Sequence, residues 1–175
     1  VTYVFLIYRF EEPIQVGAKY IGGDGLEADM VVMPDGTLIS LGSKTNFHYD
    51  NDYGKSYRTV YLEGEAYFEV ARQKDKPFIV KVNGQDIEAL GTKFNVMAYP
   101  NDSVYTTTLQ EGAIRLATKG INDSVVLYPD QQLTYNRNRN ITEVKNVDAQ
   151  QFIAWTSGYY YFPDQRLESI LHSLS

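Results

Sequence analysis

The sequence predicts an all-β fold: an antiparallel two-sheet sandwich or jelly-roll-like stack of about 12 short strands, with short C-terminal helices. Three observations carry this expectation. Residues 62–99 alternate apolar and polar with period 2 in successive segments, separated only by short Gly, Pro, Asn and Asp breaks. Pro77, Pro100 and Pro129 stand at segment boundaries, where a missing N–H does least harm to a ladder. Short β-prone runs then continue to residue 147, and near Asp148 the spacing becomes helical. The expected organisation is an N-terminal segment at 1–25, a β domain at 26–147, and a linker helix, strand and start of a C-terminal module at 148–175.

The elements read in order as follows. VTYVFLIYRFEEP opens the chain with a short apolar run that ends at Arg9, Glu11, Glu12 and Pro13. Eight residues fall short of the roughly 20 that cross a bilayer. Val1–Tyr8 therefore reads as a first strand, the leftover of a signal sequence, or the outer end of a membrane helix. MVVMPDGTLISLG places Asp35-Gly36 as a tight turn between two β runs. Residues 46–55 (NFHYDNDYGK) are polar and aromatic and read as a loop or hairpin tip. Tyr57–Leu62 leads into Glu63-Gly64 and then the alternating stretch. There Ala66, Phe68 and Val70 share one face, with Tyr67 and Glu69 on the other; Phe78, Val80 and Val82 form a second inner set, and Phe94, Val96 and Ala98 a third. Further strands are expected at Ser103–Gln110, Ala113–Thr118, Ser124–Tyr128, Gln131–Tyr135 and Asn140–Val144. YLEGEAYFEV and LQEGAIRLAT echo each other, a β run meeting Glu-Gly and resuming, which suggests similar corners in two sheets. DAQQFIAW reads as a short helix capped by Asp148, Tyr159–Phe162 as a strand, and Leu167, Ile170, Leu171 and Leu174 as the apolar stripe of a helix capped by Asp164.

Composition narrows the function. The 175 residues carry a net charge of −6, and no run of basic residues offers a nucleic-acid footprint. The absence of cysteine removes disulfides, thiol nucleophiles and Cys-based zinc sites. His48 and His172 lie in unrelated contexts, and no GxSxG, GxGxxG or P-loop occurs, so no metal, cofactor or catalytic set is assigned. Glu65 and Glu69 would stand about 13 Å apart along a strand, too far for a retaining glycosidase pair. Charged residues at outward strand positions read as a solvated face. Fifteen tyrosines suit sheet surfaces, and Tyr159, Tyr160 and Tyr161, or Tyr49, Tyr53 and Tyr57, offer stacking platforms for a carbohydrate-binding sandwich, the alternative reading.

MPDGTLISL at 33–41, RTVYLEGEAYFEVARQKDKPFIVKV at 58–82, IEALGTKFNVMAY at 87–99 and TTLQEGAIRL at 107–116 together resemble the periplasmic domain of FecR-type anti-sigma factors in the form common in Bacteroidota. The resemblance continues weakly through LYPDQQLTYN and ends with Trp155–Leu174. It implies a signal-transducing protein of the periplasm and not an enzyme. The implied partner is the signalling domain of a TonB-dependent outer-membrane transporter. A sigma factor would be reached only through a cytoplasmic segment, across one inner-membrane helix, that these residues do not contain. An exposed sheet edge suits such a partner by strand addition. The C-terminal segment offers the candidate partner-binding residues Trp155, Tyr159, Tyr161, Phe162, Leu167, Ile170 and Leu171, whose competing role is burial against the sandwich. Asp102-Ser103-Val104 and Asp123-Ser124-Val125 resemble the O-glycosylation acceptor pattern of the same bacteria, although turn capping also explains them.

Overall fold

The structure, a computed structural model, describes residues 19–23 and 28–159. The expectations for Val1–Tyr8, for a strand through Phe162 and for a helix through Leu174 lie outside these residues. The first strands are β1 (Lys19–Ile21), β2 (Asp29–Val32), β3 (Leu38–Leu41), β4 (Asn46–Tyr49), β5 (Arg58–Glu69), β6 (Phe78–Val82) and β7 (Gln85–Ala89). There follow β8 (Lys93–Ala98), β9 (Val104–Glu111), β10 (Ile114–Thr118), β11 (Val125–Leu127), β12 (Gln131–Asn136) and β13 (Ile141–Asn146). A helix, α1 (Ala149–Ile153), and a 3₁₀ turn at Ala154–Ser157 end the described chain.

Among the described residues these thirteen strands are one continuously hydrogen-bonded sheet, curled so that two halves share β5. The first half runs β1-β4-β5-β6-β7-β10-β11 and uses residues 58–63 of β5. The second runs β2-β3-β5-β8-β9-β12-β13 and uses residues 64–69. After β5 the chain alternates hairpin by hairpin, β6–β7 and β10–β11 in the first half, β8–β9 and β12–β13 in the second. The inner faces of both halves supply one core, including Ile39, Phe47, Val60, Phe68, Phe78, Ile87, Phe94, Leu109, Ile114 and Leu133. Phe68 of the second half stacks on Phe94 at 5.0 Å and meets Phe78 of the first half edge-on at 5.9 Å. Full burial of each such ring contributes about 1.5–3 kcal/mol.

The all-β expectation holds, with three corrections. All pairs are antiparallel except β5–β6, which is parallel, Arg58 lying opposite Phe78. The two sheets are also not separate, because β5 continues through the corner at Glu63-Gly64 and belongs to both. Given the parallel pair, the shared strand follows from chain length. A straight twelve-residue β5 would span about 36 Å, and residues 70–77 cannot carry the chain back beside its start, since nine peptide steps reach at most about 32 Å. β5 must therefore fold over, and it does so at Gly64, whose φ of 129° suits glycine alone. Gly112, in the echoing Glu-Gly, turns the chain from β9 back to β10 in the other half, with φ of 90°. A third correction concerns residues 46–55. Phe47 and Tyr49 are buried and alternate with Asn46 and His48, so the polar stretch begins with strand β4 and only its remainder is loop.

Arg58 fastens the folded-over strand. The side chain is fully buried, and its Nη1 donates to Asp35 Oδ2 at 2.7 Å and to Ala71 C=O at 2.8 Å, while Nε donates to Lys76 C=O at 2.9 Å. Ala71 lies just past the end of β5, so one side chain bridges the strand's beginning to its own exit. The Phe78 ring lies under the guanidinium at 5.5 Å. Asp35 sits in the β2–β3 turn and also accepts from Thr37, whose hydroxyl accepts from Ala71 N–H. Burial pushes the Asp35 carboxyl up, but the hydrogen bonds from Arg58 and then Thr37 outweigh it and hold its pKa below the ordinary value. The pair's contribution is thus present above the ordinary carboxylate range and is lost as pH falls through the lower folded value.

A Cβ on Gly64 would lie 2.4 Å from Thr45 Oγ1 and 2.7 Å from Thr45 Cα. Gly64→Ala therefore combines an unfavourable φ with overpacking and is expected to cost about 3–5 kcal/mol in urea unfolding. Gly36→Ala, at positive φ but in open space, is expected to cost about 1 kcal/mol.

Candidate partner-binding surface

The outer face of the second half is built from β5, β8, β9 and β12, and sequence alternation assigns it polar residues. Tyr67, Asn95, Thr108 and Gln132 nevertheless have almost no exposure. The C-terminal segment covers them. Asp148 caps α1 by accepting from Gln150 N–H at 3.1 Å, and Ala149 N–H donates to Asp130 Oδ1 at 3.2 Å, so the helix starts fixed to the loop before β12. Ile153 and Trp155 then pack on Tyr67 in a second apolar cluster. Gly158 ends the 3₁₀ turn in the left-handed region and returns its N–H to Trp155 C=O at 2.9 Å.

Polar groups beneath the segment are paired, Trp155, Asn95 and Glu65 in a chain and two other pairs separately. Trp155 Nε1 donates to Asn95 Oδ1 at 3.2 Å, and Asn95 Nδ2 donates to Glu65 Oε1 at 2.9 Å. Tyr67 OH donates to Gln110 Oε1 at 2.5 Å, and Gln132 Nε2 to Thr108 Oγ1 at 2.8 Å. Glu65 is thus partly covered and hydrogen-bonded, where its outward strand position suggests a solvated face. Desolvation raises its pKa to about 7, against the smaller lowering effect of the Asn95 hydrogen bond. Burial, with the charges of Glu69 and Glu111, likewise pushes the Tyr67 hydroxyl up to about 12.

Of the candidate partner-binding residues, Trp155 is 7% exposed and anchors the segment to the sheet, whereas Tyr159 is 72% exposed where the described chain ends. Tyr161, Phe162, Leu167, Ile170 and Leu171 lie outside the described residues. The tyrosines at 49, 53 and 57 form no common platform: Tyr49 is buried with Tyr53 tilted against it at 5.1 Å, and Tyr57 alone is exposed. An aromatic pair missed in the sequence does face solvent, His48 stacked on Tyr61 at 4.6 Å on the outer side of the first half. It borders an open groove of about 590 Å³ lined also by Lys19, Asn46, Glu63 and Lys81, with both signs of charge and no convergent acid–base set. His48 and Tyr61 lie directly opposite each other on β4 and β5, so the pair becomes visible only once that register is known. Ser103 and Ser124 are both exposed. Among the described residues no cluster of three His, Cys, Asp or Glu side chains suits a metal, and no helix is long and apolar enough to cross a membrane.

Comparison with known proteins gives concordant results. A family profile described as FecR protein matches residues 25–115. Two crystal structures of a Parabacteroides distasonis ATCC 8503 protein, provisionally described as an anti-sigma factor, superpose with a TM-score of 0.80. Each is 32% identical and covers 90% of this chain and 73% of its own. No curated protein matches.

Glu65 makes a pH-dependent contribution whose sign is fixed. Its folded pKa of about 7 lies above its ordinary value of 4.5, so the folded state keeps a proton that the unfolded chain releases. This contribution is fully present below 4.5 and is lost as pH rises through 7. Glu65→Gln keeps an acceptor for Asn95 without the charge. It is expected to raise unfolding stability by about 1–3 kcal/mol at pH 8 and to leave it nearly unchanged at pH 4, as measured by urea titration at both pH values.

Proposed function

The chain belongs to the FecR protein family, and from that premise we propose that it is the periplasmic signal-relay domain of a transmembrane anti-sigma regulator, sensing a TonB-dependent outer-membrane transporter by protein–protein contact. The family is a regulatory, non-enzymatic class that works in sigma-factor control. The observation that carries the reading to a particular surface is the docking of Trp155. Its indole is seated on the β sheet and hydrogen-bonded to Asn95, which delivers the following residues, beginning with exposed Tyr159, from a fixed point on the domain. In this reading Tyr159, Tyr161, Phe162, Leu167, Ile170 and Leu171 supply the aromatic and aliphatic anchors, and Trp155 is the support that holds them in place. The transporter's signalling domain binds there. In this reading the full-length protein is anchored in the inner membrane and reaches a sigma factor through a cytoplasmic segment.

The test is isothermal titration of the periplasmic region with signalling domains of candidate transporters. Tyr161→Ala and Leu171→Ala are each expected to weaken the cognate interaction by about 2 kcal/mol, roughly thirtyfold, while the melting temperature of the β domain stays put. Binding that survives both substitutions while thermal stability falls would assign these side chains to packing and refute the proposed surface.

A further inference from the structure

β13 terminates the second half-sheet and, among the described residues, pairs only with β12. Ile141 is 53% and Val144 40% exposed, and Glu143, Lys145 and Asn146 are exposed as well. Apolar side chains thus stand on an open edge that carries neither a proline nor a break in its register with β12.

Two hydrogen bonds show which backbone groups of this edge point away from β12. Arg137 N–H donates to Ser103 C=O at 2.9 Å, so the odd-numbered residues of β12 turn toward β9 and the even-numbered ones toward β13. Val147 N–H donates to Asp130 C=O at 2.8 Å, so the odd-numbered residues of β13 turn toward β12. Thr142, Val144 and Asn146 therefore direct their N–H and C=O groups out of the sheet.

We propose that this edge pairs with the β13 edge of a second copy of the chain, antiparallel about a two-fold axis at Val144. Val144 then meets the partner's Val144, Thr142 meets the partner's Asn146, and Glu143 meets the partner's Lys145, with each contact repeated by symmetry. Outward-directed residues meet outward-directed residues, as a continuous antiparallel ladder requires. Glu143 and the partner's Lys145 fall at the non-hydrogen-bonded positions, where Cα atoms are about 4.5 Å apart and side chains are closest. The charge pattern selects this register. Sliding the copies by the smallest step that preserves the hydrogen-bond phase sets Glu143 against the partner's Glu143 in one direction. In the other it sets Lys145 against the partner's Lys145. Val144 lies opposite fully buried Leu133, so the pairing also covers the open end of the core.

Sedimentation equilibrium of the 175-residue chain up to about 1 mM, the weak end of specific association, tests the pairing. The chain is expected to show a monomer–dimer equilibrium, and Glu143→Lys or Lys145→Glu alone is expected to weaken it by at least about tenfold. The double swap, Glu143→Lys with Lys145→Glu, restores opposite charges and is expected to recover affinity to within about threefold. Because the chain has no cysteine, a mixture of Glu143→Cys and Lys145→Cys copies should form the mixed disulfide faster than either copy links to itself. A wild-type chain that stays monomeric over this range refutes self-pairing and leaves the edge to a different protein. Single charge variants that dimerise as the wild type does, or a double swap that fails to recover, refute it as well.

Discussion

A buried guanidinium joins the two ends of the longest strand, and the architecture is arranged around that contact. Arg58 begins β5, and Ala71, whose carbonyl it holds, follows the strand's end. Its acceptors lie in three directions, the Asp35 carboxylate, Ala71 C=O and Lys76 C=O, which a planar guanidinium reaches from one position and an ammonium does not. Burying a cation carries a desolvation cost, so the pair adds little net stability compared with an apolar alternative. Removing one partner from such a pair, however, costs about 3–5 kcal/mol. What Arg58 provides is specificity: it fixes the β2–β3 turn, the end of β5 and the approach to β6 at one point.

The working surface inherits its position from the same strand. Ala66 and Phe68 of β5 point into the core, while Glu65 and Tyr67 point outward, Tyr67 packing against the C-terminal segment and Glu65 accepting from Asn95. Closing β5 therefore sets both the inner packing and the platform on which Trp155 sits. A movement of the segment would have to break the Trp155–Asn95 hydrogen bond and uncover Tyr67, so the exit point near Tyr159 is coupled to the sheet and not merely tethered to it.

Much of this was legible beforehand, for local reasons. The inner faces through residues 66–70, 78–82 and 94–98 follow from period-2 alternation, and the strands at 104–146 from turn residues between β-prone runs. The echo of Glu-Gly correctly marks two corners between half-sheets, because a positive φ there needs glycine. Residues 46–49 escaped notice because Asn and His on their exposed side make a strand look like a loop. The parallel β5–β6 pair, the fold-over at Gly64 and the role of Arg58 depend on contacts between residues 13 to 23 positions apart, which no local pattern encodes. The same applies to Glu65 and Trp155. A carboxylate at an outward position looks solvated until the register brings Asn95, 30 residues later, beside it, and a tryptophan in an apolar helix looks equally suited to a partner or a core.

A double-mutant cycle between Arg58→Met and Asp35→Asn, read by urea unfolding, measures whether the pin holds the fold together. Each single substitution should lower stability by about 3–5 kcal/mol, and the double variant should lose scarcely more than either one, because the second partner has nothing left to satisfy. Losses below about 1 kcal/mol for Arg58→Met would show that β5 closes without Arg58, and additive losses in the double variant would show that Arg58 and Asp35 do not act as a pair.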